Sequence, residues 1–148
     1  MKYKLLGLLS LFVVFASGCI GDKSAPVPIA NLPTGTFSGV FTRKHINSKG
    51  VIDSAKANIQ LQMETATGFK VTGDTSTLHA GSYGSYNLVS ESGILQFNDK
   101  TYPPTGTPVK THLSGLYEYK YTGATLQLLG YGALDTLSFY YNLTRTGN

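Results

Sequence analysis

From Lys56 to Glu64 apolar and polar side chains alternate without a break. Ala57, Ile59, Leu61 and Met63 fall on one face, and Lys56, Asn58, Gln60, Gln62 and Glu64 on the other. A period of two is that of a half-buried β-strand, whose side chains point in turn to opposite sides of a sheet. The same pattern, rich in Thr, Tyr, Phe, Val and Ile and punctuated by Gly, Asn, Asp and Pro, continues from Gly35 to Asn148. It predicts eight strands, at about 35–46, 55–64, 68–74, 82–89, 93–98, 111–121, 124–131 and 135–145. No part of this region sustains a 3.6-residue period, so little or no helix is expected.

Short turns between consecutive strands make them antiparallel neighbours. Ser92-Gly93 and Thr122-Gly123 supply the positive φ that tight hairpins need. Eight such strands in meander order close into an up-and-down barrel, which leaves no open edge to protect. A sandwich of two sheets is the alternative. Residues 35–148 suffice for one domain and are too few for two.

The first 34 residues have a different grammar. Lys2 and Lys4 precede an apolar run from Leu5 to Phe15, which ends in Ala16-Ser17-Gly18-Cys19. This is the order of a secretory signal, and the run is too short for the roughly 20 apolar residues of a spanning helix. The residues before Cys19 resemble the lipobox of bacterial lipoproteins, although Ala16 stands where Leu is commoner. That resemblance implies cleavage after Gly18, lipidation of Cys19 and a membrane as partner. The alternative is an ordinary secretory signal. Cys19 is the sole cysteine, so no internal disulfide is possible. Ile20 lies where enteric bacteria place Asp to retain a lipoprotein at the inner membrane, which by analogy implies the outer membrane.

The segments are therefore read as a signal peptide (1–18), a lipidated Cys and Pro-rich stalk (19–34) and a β-domain (35–148). Pro26, Pro28 and Pro33 stiffen a stalk that has no apolar period. Losing the signal takes Lys plus Arg from 12 to 10 against 8 Asp plus Glu. The remaining cations are scattered singly apart from Arg43-Lys44, so no basic footprint for nucleic acid is expected.

The strand layout resembles the lipocalin-like, or calycin, barrels. In these a Gly-x-Trp motif opens the first strand, and an Arg in or after the last packs across the ring to close one end. Gly35-Thr36-Phe37 stands in the place of Gly-x-Trp, and Arg145 follows Leu143 in the last strand. The chain has no Trp, so Phe37 substitutes for the ring in this barrel-closing pair. The resemblance implies a small ligand in the barrel.

Little suggests catalysis. His45, His79 and His112 are isolated from one another and from Cys19, the spacing of scattered surface histidines rather than of a metal site. The eight acidic residues are single and fall mostly at turns or outward positions, with no nominated pair. There is no Gly-x-Ser-x-Gly elbow. Gly130-Tyr131-Gly132 lacks the third glycine and the helix of a dinucleotide loop, and reads as a strand end. The expectation is a non-enzyme with no metal and no cofactor. An enzyme would require His112 or His45 to meet a carboxylate in a pocket.

Tyrosine is the notable feature, with 10 in the chain. Tyr117, Tyr119 and Tyr121 share a face with Leu113, and Phe139 and Tyr141 share one with Leu137 and Leu143. An eight-stranded barrel is just wide enough either to be filled or to hold one small ligand. Phe41, Tyr86, Tyr117, Tyr119, Phe139 and Tyr141 are thus the candidate lining of a cup for a small, partly apolar ligand. If instead the rings touch across the axis, the barrel is solid. It would then act as a structural or protein-interaction accessory of the envelope, through the Pro-rich loop 99–110 or an outer face bearing Val40, Leu116, Leu129 and Tyr140.

Overall fold

The computed structural model describes residues 31–89, 93–132 and 136–148. The signal peptide, Cys19 and most of the stalk lie outside these residues. The described part is all-β, with eight strands and no helix: β1 (Gly35–Ile46), β2 (Ile52–Glu64), β3 (Gly68–Gly73), β4 (Tyr83–Leu88), β5 (Ile94–Asp99), β6 (Gly115–Tyr121), β7 (Thr125–Tyr131) and β8 (Leu137–Gly147). Every neighbouring pair is antiparallel, and β8 returns to pair with β1, so the sheet is a closed up-and-down barrel rather than a sandwich. The architecture is compatible with a lipocalin-like fold. Closure matters energetically because it gives every strand a partner on both sides.

Alternation decides which side chains go inside. In β2, Ala57, Ile59, Leu61 and Met63 are buried and the residues between them are exposed. Phe37 and Phe41 of β1, Leu95 and Phe97 of β5, Tyr117 of β6, Leu126 and Leu128 of β7, and Tyr141 and Leu143 of β8 complete one continuous core. Gly93 and Gly123 have φ of 73° and 85°, the left-handed geometry expected of their turns.

Two boundaries differ from expectation. β2 begins three residues early, at Ile52, because its ladder with β1 runs down to Ile46 through exposed positions that carry no apolar alternation. β6 begins late, at Gly115. Residues 111–114 are diverted to the plug segment between β3 and β4, with Thr111 pairing parallel to His79. Leu113 is nonetheless fully buried. The β3–β4 ladder is short, with only Phe69–Gly84 and Lys70–Tyr83 in register. The chain leaves the wall there to cross one end of the barrel.

Gly130 shows how tightly the interior is filled. It belongs to β7 and faces inward beneath the Tyr117 ring, where a methyl group would sit 2.5 Å from Tyr117 Cε1. The Gly130-Tyr131-Gly132 run is thus the end of a strand, and its first glycine provides space for an aromatic ring on the neighbouring strand. Overpacking a filled core costs about 1–3 kcal/mol. Gly130→Ala is expected to lose that much stability in urea denaturation. Gly81→Ala, whose new methyl would lie an ordinary 3.7 Å from the nearest atom, is expected to lose much less. Equal stability of Gly130→Ala and the wild type would mean that Tyr117 is not seated on Gly130.

Candidate functional site

The six candidate lining residues separate into three groups. Phe41, Tyr117 and Tyr141 occupy the centre, each 2% exposed or less, and Tyr141 packs against both of the others. Tyr141 lies 4.8 Å from Phe41 and 5.8 Å from Tyr117 between ring centroids, and Phe97 lies 5.6 Å from Tyr117. These are tilted and edge-to-face contacts, the preferred geometries of packed aromatic rings. Tyr86 and Tyr119 sit toward one end of the barrel, and Phe139 toward the other, where it pairs in register with Arg43.

At the first end the chain entering β1 crosses the opening. Tyr86 donates its hydroxyl to the Pro33 carbonyl at 2.8 Å, and the Tyr119 hydroxyl lies 3.4 Å from the Asn31 carbonyl. Leu32 packs against the core. Arg145 lies over the Phe37 ring, 5.0 Å from its centroid, and donates to the carbonyls of Gly123 and Thr34 and to the Tyr121 hydroxyl. One guanidinium thus ties the last strand to the β6–β7 turn and to the segment that caps the end. Burial pushes the Tyr86 hydroxyl up to about 12, so it stays a neutral donor.

At the opposite end the opening is covered by residues 74–82 and by the long connection from Lys100 to Ser114. Backbone hydrogen bonds join the two, from Ala80 N to Thr111 O and from Thr111 N to Leu78 O. His79, expected at the surface, is instead completely buried. Its ring meets Phe41 edge-on at 4.8 Å. Nδ1 lies 2.5 Å from the Ala80 carbonyl, which can only accept, so Nδ1 carries the proton. Nε2 then accepts from the Tyr141 hydroxyl at 2.8 Å. Burial is the main cause that lowers the His79 pKa to about 4, which keeps the ring neutral. Burial likewise raises Tyr117 and Tyr141 above the ordinary tyrosine value.

His112 is also displaced from its expected setting. Its Nδ1–H donates to Asp99 Oδ2 at 2.8 Å, making the one salt-bridge pair among the described residues. The Asp99 side chain is fully buried, and it also accepts from the Thr101 amide and hydroxyl, both at 2.7 Å. Burial alone would raise the Asp99 pKa, but hydrogen bonds from Thr101, His112 and Ser82 together outweigh it and hold the group below its ordinary value. Asp99 is therefore not a single outward-facing acid. It is the last inward position of β5, and it organises the start of the covering loop.

His112 lines a pocket of about 430 Å³ between this loop and the barrel rim, together with Arg43, Tyr102, Lys110, Ser114 and Phe139. His45, by contrast, is exposed at the end of β1. A second, shallower depression of about 470 Å³ lies between β5, β6, β7 and β8 around Ile94, Glu118, Leu129 and Tyr140. It coincides with part of the outer apolar face, on which Leu116 is 59% exposed and Val40 half-buried. Among the described residues no cluster of three or more His, Cys, Asp or Glu is placed to hold a metal. In comparisons with known proteins, no family model, curated protein or solved structure matches the chain.

The neutral, buried His79 makes stability depend on pH. Its folded pKa of about 4 lies below the reference 6.5, so the unfolded chain takes up the proton first as pH falls. Stability is fully present above about pH 6.5 and declines toward pH 4, by about 3 kcal/mol in all. Urea denaturation at steps between pH 7.5 and 4 measures this loss, and His79→Gln is expected to flatten the profile while lowering stability at pH 7. A wild-type profile that is flat over this window would contradict the assignment.

Proposed function

We propose that the mature protein is a lipid-anchored lipoprotein of the bacterial cell envelope whose solid barrel acts as a structural or protein-interaction accessory. The observation that carries the solid-barrel reading is the contact of Phe41, Tyr117, Tyr141, Phe97 and His79 across the axis. An interior filled to the point where a methyl group at Gly130 would have to displace the Tyr117 ring leaves its rings to hold the wall rather than to line a cup. The candidate lining residues are then core, and the surface is where partners meet the protein.

The anchor rests on the sequence. Ala16-Ser17-Gly18-Cys19 after an apolar run suits removal of the leader and acylation of Cys19. Two or three acyl chains hold a protein to a bilayer firmly, where one does so only marginally. The Pro-rich segment after Cys19 serves as a spacer. Ile20 favours the outer membrane by the enteric analogy. For partners, the outer face around Leu116, Leu129 and Tyr140 offers an apolar surface on a closed sheet that cannot recruit a strand. The competing reading is a carrier with its ligand inside the barrel.

Expression of the full-length protein with labelled palmitate tests the anchor. Label is expected to enter the wild type and to be absent from Cys19→Ser, which should also leave the membrane fraction. Label-free wild-type protein would refute lipidation. Native mass spectrometry and titration with apolar fluorescent probes test the barrel: a bare polypeptide-plus-lipid mass and no probe uptake are expected. A stoichiometric ligand released on denaturation would establish the carrier instead.

A further inference from the structure

We infer that the pocket beneath the 100–114 loop is a binding site for a small organic anion, with its carboxylate or phosphate group held by Arg43 and His112 and its apolar part against Tyr102 and Phe139. This site lies at the rim, outside the filled interior, and does not depend on how the protein is anchored or on whether its outer face binds a partner. Its volume of about 430 Å³ falls in the roughly 300–1,000 Å³ range of small-molecule sites.

The charges of the lining favour an anion. Arg43, Lys110 and His112 line the pocket, and no carboxylate does among the described residues. Arg43 follows Phe37, Gly39 and Phe41 on the inward face of β1, paired with Ala55 of β2 and Phe139 of β8. It is half-buried at the rim, and among the described residues its guanidinium has no ion-pair or hydrogen-bond partner. A guanidinium has five N–H donors in a planar fork that matches a carboxylate or phosphate. Arg145, the other inward-side arginine, spends its donors on Gly123, Thr34 and Tyr121 at the far end. Among the described residues, nothing takes up the donors of Arg43.

His112 is the second element. Donation of Nδ1–H to Asp99 fixes the ring, and Tyr102 packs on it at 5.3 Å between centroids. Nε2 has no partner among the described residues. No buried side-chain nitrogen or oxygen among them is left unpaired, so Nε2 is accessible rather than buried in the core, on a residue that lines the pocket. It donates to a ligand oxygen when the ring is protonated and accepts from a ligand hydroxyl when it is neutral. Lys110 adds charge in a fixed place, because its Nζ donates to the Thr75 carbonyl at 2.8 Å and straps the loop to the plug. The buried Asp99 stands behind His112, where it orients the ring without presenting its own charge to the pocket.

The test is fluorine NMR of the full-length protein in zwitterionic nanodiscs, with 4-fluorobenzoate and 4-fluorophenyl phosphate as probes and 4-fluorobenzyl alcohol and 4-fluorobenzylamine as controls. Saturable broadening of either anion, with little for the alcohol or amine, is expected, and the stronger of the two anions identifies the headgroup. Arg43→Gln is expected to weaken binding about tenfold or more, as loss of a charge-assisted hydrogen bond does. Arg43→Lys, which keeps the charge but loses the fork, should fall between. Lys120→Gln, on the outer face of β6, should bind as the wild type does. The inference is overturned if the alcohol or amine binds as well as the anions or if folded Arg43→Gln binds them undiminished. Failure of both anions to bind at about 10 mM, above the millimolar range in which so small a probe is held, would also overturn it.

Discussion

Closing eight strands removes the edges of the sheet but creates an interior that must be filled, and the contact of Tyr117 with Tyr141 near the axis is what fills it. Two large rings from strands on either side of β7 meet at 5.8 Å, with Gly130 of β7 cut back to make room. Each brings a hydroxyl into an apolar space, where an unpaired polar group costs heavily. For Tyr141 the molecule meets that demand with His79, which enters from the end of the barrel and accepts from Tyr141 while donating to its own neighbour's carbonyl. The core is therefore apolar packing around one short, fully paired polar chain, and it cannot be emptied without orphaning those groups.

The two ends follow from that filling. One is closed by residues 31–34 and by Arg145, whose donors gather three parts of the chain over the Phe37 ring. The other is closed by the segment that delivers His79, pinned by Thr111 and by the loop that Asp99 organises. On the proposed reading, recognition falls to the exterior and the rim. The proposed accessory role uses the outer face, and the proposed anion site uses the seam between rim and loop. A membrane tether, as proposed for Cys19, would confine both to the envelope.

Much of the wall was legible in the sequence because alternation is a local property. Ala57 to Met63, Phe139 to Leu143 and the turn at Gly123 each declare themselves within a few residues, and meander order follows from short turns. The end-to-end contacts were not legible, because their partners are distant. His79 and Tyr141 are 62 residues apart, and nothing near His79 marks it as buried. Asp99 and His112 lie 13 residues apart across a Pro-rich loop, where no period relates one to the other. Alternation does place Asp99 on the inward side of β5 with Leu95 and Phe97, a signal that could have raised the question of its partner. The diversion of residues 111–114 into the plug was hidden by their continuity with the alternating strand that follows.

NMR of the His79 and Tyr141 side chains reads directly whether the interior is packed around them. The expected result is a His79 ring that remains in the neutral Nδ1–H form from pH 8 to below pH 5, together with a Tyr141 hydroxyl proton that exchanges slowly enough to be observed. A His79 ring that titrates near its ordinary value, with a Tyr141 hydroxyl proton lost to rapid exchange, would mean that water reaches the axis and that the barrel is hollow.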